Sequence, residues 1–213
     1  MTTPVSKKMT ESADKHEIAG HSTHAEDAEL VAQVLKGKMA AYDLLVERYQ
    51  RRGVSVAYRL LGNLSDAMDV VQDAFLRGYK SIETLENHER FGPWMMRIVS
   101  NLALNFRRGR RKHLSLSMGG ESDESQETGI PDEGRRERSG AAAMESAELK
   151  AKIDSGIESL PEAQRLALIL FAIEEMPQKD VAEIMECSVE MVKWNVFQAR
   201  KTLKARLADY LEE

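Results

Sequence analysis

Two asparagines one helical turn apart stand directly before a run of basic residues. Asn101 and Asn105 share a face of any helix that contains both, because residues four apart are neighbours on a helix surface. An asparagine side chain donates and accepts hydrogen bonds, so it can read the edge of an unstacked base. No acidic residue interrupts the nearby basic residues, which are Arg97, Arg107, Arg108, Arg110, Arg111 and Lys112. The pattern favours a helix that lies along a nucleic-acid strand. The alternative is a core helix with a solvated basic end.

A second basic segment has the pattern of a helix-turn-helix. Pro177 precedes a short predicted helix, Gln178 to Met185, and Ser188 is predicted to cap a longer helix that runs to about Tyr210. The apolar residues that would hold the two helices together are Val181, Ala182, Ile184, Val189, Val192 and Val196. The outward face of the longer helix is predicted to carry Lys193, Asn195, Gln198, Arg200, Lys201 and Lys204. Such a helix reads base edges with its N-terminal half while other cations contact phosphates. A plain helical hairpin with a solvated face is the alternative.

A third group of polar residues lies on one side of a predicted helix. It consists of Asp69, Gln72, Asp73 and Arg77. Catalysis is not expected there, because no histidine or nucleophile is placed beside it. A charged helix face is usually solvated, but charge complementarity would also allow it to dock a helix of another protein.

Apolar residues at helical spacing predict the helices that position these side chains within residues 26–113. The first pattern continues until Gly62-Asn63 stops it. The next helix, with Ser65 as its predicted N-cap, is expected to bury Val70, Val71, Ala74, Phe75 and Tyr79. Pro93 is predicted to start a third helix, whose buried stripe consists of Trp94, Met95, Ile98, Val99, Leu102 and Phe106.

The remaining segments divide the chain further. Residues 144–213 are predicted to form a second folded unit, in which Ser159 and Glu162 make a capping box. Residues 1–25 are predicted to be a disordered leader, and residues 114–143 a flexible acidic linker. The acidic residues in and around its centre are Glu121, Asp123, Glu124, Glu127, Asp132, Glu133 and Glu137. If they repel DNA, replacing them with Gln or Asn should raise DNA binding by the isolated chain.

Composition narrows the class of protein. The 213 residues leave room for one ordinary domain or two small ones; they are 42% hydrophobic and 31% charged, and the abundant Leu, Ala, Glu, Arg and Lys favour helices over sheets. With the linker between two folded units, the sequence predicts an all-α fold of two small helical domains, the second with a helix-turn-helix. Cys187 is the single cysteine, which excludes an intramolecular disulfide. No apolar run approaches the roughly 20 residues of a membrane span. We therefore expect a cytoplasmic protein. No metal site is expected, since His16, His21 and His24 lack the spacing of a zinc site.

Three motifs resemble the extracytoplasmic-function (ECF) sigma factors of bacterial RNA polymerase. The segment from Asn63 to Tyr79 resembles conserved region 2.2 of that family. The segment from Phe91 to Asn105, with the arginines after it, is similar to regions 2.3 and 2.4, and the segment from Leu160 to Arg200 is similar to region 4. The motifs follow the family's order from about residue 26 to 211, with a linker between them.

The resemblance implies an alternative sigma factor with no catalytic activity and no cofactor. Such a factor binds core RNA polymerase and directs promoter recognition, DNA melting and transcription initiation. It would contact the beta-prime clamp helices and the beta flap, the former through Asp69, Gln72, Asp73 and Arg77. The minus-ten element would be bound by the loop from Glu86 to Arg90 together with residues of the following helix. These residues are Arg97, Asn101, Asn105, Arg107, Arg108, Arg110 and Arg111. The minus-thirty-five element would be bound by Ser188, Lys193, Trp194, Asn195, Phe197, Gln198, Arg200 and Lys201. An anti-sigma factor is a further expected partner.

The second unit departs from the family pattern. Trp194, Asn195 and Gln198 stand where Ser and Arg are usual, and Glu186-Cys187 occupies a turn where Gly is frequent. Fewer cations on this helix predict a different base preference. A net charge of −5 predicts weak DNA binding by the chain alone, since affinity follows neutralised phosphates. The rival interpretation is an ordinary helix-turn-helix regulator, which would dimerise and bind DNA tightly without polymerase.

Overall fold

The computed structural model describes residues 24–116, 149 and 151–208, without the side chains of residues 111–116. Every regular element in these ranges is a helix, which confirms the predicted all-α fold. The predicted leader up to residue 23 and the predicted linker from residue 117 onward lie outside the described residues. Residues 24 and 25, predicted to belong to the disordered leader, are helical, and the last helix, predicted to run to about Tyr210, already ends at Arg206. Within the described ranges, no helix is long and apolar enough to cross a membrane.

Four helices form the first domain. They are α1 (24–35), α2 (Met39–Leu61), α3 (Leu64–Ser81) and α4 (Phe91–Leu116). Short 3-10 turns at Ile82–Thr84 and His88–Arg90 connect α3 to α4. Helix α4 begins two residues before Pro93 and continues through residues 114–116, which the sequence assigned to the linker.

Left-handed glycines separate the first three helices. Gly62 (φ 75°) ends α2 as predicted, and its N–H donates to the carbonyl of Tyr58 at 2.7 Å. Gly37 (φ 84°) separates α1 from α2, a break that the apolar pattern did not reveal. Asn63 caps α3 by accepting a hydrogen bond from the Asp66 N–H at 3.0 Å. The prediction of Ser65 as this cap is wrong, because Ser65 already lies inside the first turn.

The core of the first domain joins α2, α3 and α4. Fully enclosed side chains include Leu45, Val56, Phe91, Met95 and Val99. The Tyr42 hydroxyl donates to the carbonyl of Phe75 at 2.5 Å, which ties α2 to α3. Among the described side chains of α4, Leu104 is the last that is buried, and the prediction that Phe106 is buried is wrong: it is 41% exposed. The prediction that Tyr79 is buried is also wrong: it is 38% exposed, although its ring packs edge-on against that of Tyr42.

The described part of the second domain contains four helices and a π-helical segment. They are α5 (151–158), α6 (Glu162–Leu168) with its π-helical continuation Ile169–Ile173, α7 (Gln178–Ile184) and α8 (Val189–Arg206). The positions of Pro177 before α7 and Ser188 before α8 confirm the predicted helix starts. The predicted capping box is wrong. Ser159 instead donates to the carbonyl of Gly156 at 2.7 Å, and Pro161 precedes α6 without a side-chain cap.

The two domains pack against each other, chiefly through α4 and α7. A cleft of about 610 Å³ lies between them, with Met96 of the first domain and Met176 of the second on its walls. On the α2 side, Ser55 donates to the carboxylate of Glu174 at 2.5 Å. The basic helix α4 is therefore in contact with the helix-turn-helix rather than separated from it.

Candidate DNA and polymerase interfaces

The outer face of α3 is polar, as predicted. Asp69, Gln72 and Arg77 are exposed and Asp73 is half-buried; we call these four residues the α3 face. Arg77 pairs with Asp73 one turn earlier at 2.9 Å, a contact worth only a few tenths of a kcal/mol on an exposed helix.

Two apolar side chains that sequence reasoning missed flank the α3 face. Met68 and Leu76 are 57% and 56% exposed. Their positions in the chain place both on the same side of α3 as Asp69 and Gln72. Exposed apolar groups among acidic ones have the composition of a protein-binding surface rather than of a purely solvated one.

On α4, Asn101 and Asn105 are both exposed, with Arg97 one turn before them. Arg108 and Arg110 are exposed further along the helix, and Arg107 is half-buried. The side chain of Arg111 lies outside the described part of the structure. The fold thus places an exposed amide pair between cations on one continuous helix. We call Arg97, Asn101, Asn105, Arg107, Arg108 and Arg110 the minus-ten face.

Several cations of the minus-ten face already have acidic partners. Arg110 pairs with Asp66 of α3 at 3.0 Å. Arg97 pairs with Glu186, and Arg108 with Glu162, both in the second domain. The hydrogen bond from Arg108 to Glu162 raises the pKa of this arginine further.

Arg90, at the end of the predicted loop, is held by α7. It pairs with Asp180 at 2.8 Å and with Glu183. Partial burial by itself lowers the pKa of Arg90, but the hydrogen bonds to Glu183 and Asp180 outweigh it and the pKa is raised. Arg90 therefore stays charged, and in this arrangement it is paired with acids of the second domain.

The turn between α7 and α8 contains a strained residue. Glu186 has φ 52°, a left-handed conformation that glycine adopts without strain. The Ser188 hydroxyl accepts a hydrogen bond from the Met191 N–H at 3.2 Å, which confirms it as the N-cap of α8. Cys187 lies between Glu186 and Ser188 in this turn. Partial burial raises the pKa of its thiol, which disfavours the reactive thiolate.

Helix α8 presents cations and large aromatic rings to solvent. Trp194 and Phe197 are 51% and 63% exposed. The other exposed or partly exposed members of this surface, which we call the reading face, are Ser188, Lys193, Gln198, Arg200 and Lys201. Sequence reasoning missed Met191, which is 48% exposed one turn before Trp194 and Asn195.

Asn195 does not belong to the reading face. Its predicted outward position is wrong, because the side chain is 4% exposed and donates to the carbonyl of Met191 at 2.9 Å. The reason is its place in the helix: Asn195 is adjacent to Val196 and one turn before Ala199, which are both buried against the domain body.

A buried arginine that sequence reasoning did not single out supports this domain. Arg165 is 1% exposed and donates to the carbonyls of Ile157, Glu158 and Leu160, which end α5. A charge this deeply buried is stable only with such partners. The only sequence signal was its position within the Leu160–Arg165 motif.

Nothing in the described ranges resembles a metal centre. No group of three or more His, Cys, Asp or Glu residues is placed there to hold an ion. Of the three histidines considered above, His16 and His21 lie outside the described residues.

Comparison with known proteins identifies the family. Residues 45–113 match the family Sigma-70 region 2, and residues 150–203 match the family Sigma-70, region 4. The RNA polymerase sigma-H factor of Pseudomonas aeruginosa is 32% identical over 197 residues, which cover 90% of this chain and 98% of that protein. The ECF RNA polymerase sigma-E factor of Escherichia coli is 33% identical over 179 residues, covering 83% of this chain and 92% of that protein. The chain belongs to the ECF sigma factors.

Solved structures agree with this sigma factor in fold. CnrH, in complex with the cytosolic domain of CnrY, has a TM-score of 0.62 and 26% identity, covering 86% of this chain and 98% of that one. RpoE of Bartonella quintana, in complex with the anti-sigma factor NepR, has a TM-score of 0.58 and 19% identity, covering 78% of this chain and 96% of that one.

As an alternative sigma factor, the protein binds core RNA polymerase and directs it to promoters for transcription initiation. Its family is a class of transcription factors rather than of enzymes. The region 2 match covers most of α2 and all of α3, and it extends along α4 to residue 113. The region 4 match includes the helix-turn-helix formed by α7 and α8.

Proposed function

We propose that this sigma factor divides promoter recognition among three surfaces. The α3 face docks on the clamp helices of the beta-prime subunit. The minus-ten face holds the melted strand, and the reading face enters the major groove at the minus-thirty-five element while its domain contacts the beta flap. The observation that carries the proposal is the exposed pair Asn101 and Asn105 lying among arginines on α4.

Strand opening is the step that needs this pair. Extruding a base costs a few kcal/mol of stacking, and a site that hydrogen-bonds its edge offsets part of that cost. The neighbouring arginines supply backbone contacts, each of which steepens the salt dependence of binding. The same helix thus supports both base capture and phosphate contact.

The reading face is proposed without Asn195. Trp194 and Phe197 would make apolar contacts with base edges, while Arg200 and Lys201 hold phosphates. Ser188 stands at the N-terminus of α8, where a recognition helix meets the groove.

We further propose the domain division 1–25, 26–113, 114–143 and 144–213, as leader, minus-ten domain, linker and minus-thirty-five domain. The protein would act in the cytoplasm, where RNA polymerase is. An anti-sigma factor is a proposed partner, supported by the likeness in fold to RpoE of Bartonella quintana, which was solved with the anti-sigma factor NepR.

Reciprocal variants test the division between polymerase binding and strand opening. The full chain is mixed with core polymerase; co-migration measures assembly and a fluorescent base near minus ten measures opening. Asn101→Ala should assemble normally and open promoters at least tenfold less, because it removes a base contact only. Arg77→Glu should weaken assembly first, because it reverses a charge on the α3 face.

Lys36→Glu provides the matched charge-reversal control. Lys36 is exposed in the turn after α1 and belongs to none of the three surfaces, so this variant should behave as wild type. Normal opening by Asn101→Ala, or normal assembly by Arg77→Glu, would overturn the corresponding residue assignment. A wild-type chain that ignored core polymerase would contradict the proposal as a whole.

A further inference from the structure

Asp27 of α1 is a buried carboxylate that none of the three proposed surfaces uses. Its side chain is fully enclosed, and it lies outside residues 45–113, which match the region 2 family. A buried charge of this kind is costly unless polar partners compensate it. Two side chains of α2 do so, since Arg48 donates to Oδ1 of Asp27 at 2.6 Å and the Tyr49 hydroxyl donates to Oδ2.

Both partners of Asp27 are themselves held in place. Arg48 also pairs with Glu26 at 2.9 Å, so two carboxylates of α1 hold one guanidinium. Burial, followed by the hydrogen bond to Asp27, raises the pKa of the Tyr49 hydroxyl, which therefore stays a donor at neutral pH. The position of the Tyr49 ring is thus set by a hydrogen bond at its tip as well as by packing along its sides.

The tip of Tyr49 lies against the start of α4. A Cβ atom added at Gly92 would stand 2.7 Å from the Tyr49 hydroxyl oxygen and 2.8 Å from its ring atom Cε1, so the ring would have to move. The ring of Phe91, which is fully buried, is 5.6 Å from that of Tyr49 between centroids. Because the contact at Gly92 is this close, a displaced Tyr49 ring changes the space available to the first turn of α4.

We propose that Asp27 is a positioning residue for promoter opening, acting through Tyr49 on the first turn of α4. That turn follows directly on the loop from Glu86 to Arg90, and the same helix continues to Arg97 and Asn101. A binding site works only when its side chains are held within about 0.5 Å by the packing and hydrogen bonds behind them. The proposal rests on the proposed function of the minus-ten face. Asp27 itself is buried and makes no contact with DNA.

Tyr49→Phe and Tyr42→Phe form a matched pair that separates positioning from stability. Each removes one buried hydroxyl from α2, but the Tyr42 hydroxyl donates to the carbonyl of Phe75 in α3, at 2.5 Å. We expect both full-length variants to unfold at similarly lowered urea concentrations and to bind core polymerase normally. Only Tyr49→Phe should slow promoter opening, by about threefold to tenfold, as befits a residue that acts at a distance. A fluorescent base near minus ten measures the rate.

Two substitutions of Asp27 test the carboxylate itself. Asp27→Asn keeps an oxygen that can accept from the Tyr49 hydroxyl but loses the charge that pairs with Arg48, whereas Asp27→Ala loses both. At equal fractions of folded protein, Asp27→Asn should therefore open promoters faster than Asp27→Ala. The same two variants carry the comparison if Tyr49→Phe does not fold.

Gly92→Ala tests the other end of the contact. Its Cβ should displace the Tyr49 ring and slow opening. In a Tyr49→Phe background the ring is no longer held by its hydrogen bond, so Gly92→Ala should cost less there than it does alone. Gly53→Ala is the control, because its Cβ would meet Val71 at an ordinary 3.4 Å, and it should open promoters as the wild type does.

Each failure has its own signature. Normal opening by Tyr49→Phe, or equal opening defects in the two Tyr variants at equal stability, overturns the positioning role. Equal opening by the two Asp27 variants, or additive effects of Tyr49→Phe and Gly92→Ala, overturns it as well. Asn101→Ala in the same assay keeps the proposed function separate. If it opens promoters normally while Tyr49→Phe does not, base contact by Asn101 is refuted and the positioning of α4 stands.

Discussion

Helices α4 and α8 each combine asparagine with cations, and the sequence predicted nucleic-acid contacts for both. Their asparagines lie in opposite environments. Asn101 and Asn105 of α4 are exposed, whereas Asn195 of α8 is 4% exposed and bonds to its own helix backbone. On α8 the exposed positions suited to base contact are held by aromatic rings instead.

The cations of the two helices differ as well. Arg97 and Arg108 of α4 are engaged by acids of the second domain. In the described part of the chain, no ion pair involves Lys193 or Lys201 of α8. Cationic side chains are thus available for other partners on α8, whereas on α4 they are already paired with acids. The difference comes from tertiary packing rather than from the local sequence of either helix.

The largest effect should come from removing the support of α8 while leaving α4 intact. Arg165→Met leaves the carbonyl of Ile157 in α5 and that of Leu160 just after α5 without their donor, at about 1–3 kcal/mol for each unsatisfied group. We expect the second domain to lose about 3 kcal/mol of unfolding free energy, measured by urea denaturation. Binding at the minus-thirty-five element should fall with it, while polymerase binding, which we propose to run through the α3 face, should persist.

Arg206→Met is the control for that variant, since Arg206 is an exposed arginine in the last turn of α8. Its effect should stay within about 0.5 kcal/mol. Equal stabilities for the two variants would show that Arg165 does not hold the corner between α5 and α6.

Sequence patterns predicted what depends on local chemistry. The helical class, the stop at Gly62, the cap at Ser188 and the exposed pair on α4 follow from periodicity and capping preferences. The environment of Asn195 was mispredicted because the polarity of the side chain suggested the outer face of α8. Its position in the helix instead places it on the side that packs against the rest of the second domain. The ion pairs between the two domains were not predictable, since the hydrogen-bonded partners Arg108 and Glu162 are 54 residues apart and Arg90 and Glu183 are 93 residues apart.

The aromatic side chains of α8 give a second, smaller contrast. Trp194→Ala and Phe197→Ala should each weaken minus-thirty-five binding by about 1–3 kcal/mol, because they remove base-edge contacts. Lys201→Ala should instead lower affinity for all sequences alike and reduce the salt slope by about one. Holoenzyme binding to promoter fragments over a range of salt separates the two outcomes. Aromatic variants that change only the salt slope would refute base contact by these rings.

The smallest effect concerns the asparagines themselves. Asn195→Ala removes one hydrogen bond to the Met191 carbonyl and should cost about 1 kcal/mol of stability, with the base preference at minus thirty-five unchanged. Asn101→Ala, at an exposed position, should change stability by less than about 0.5 kcal/mol yet impair opening. Urea denaturation and promoter selection on the same two variants compare a structural amide with the amide that we propose contacts a base. A changed base preference in Asn195→Ala without loss of stability would mean that this side chain leaves the core when DNA binds.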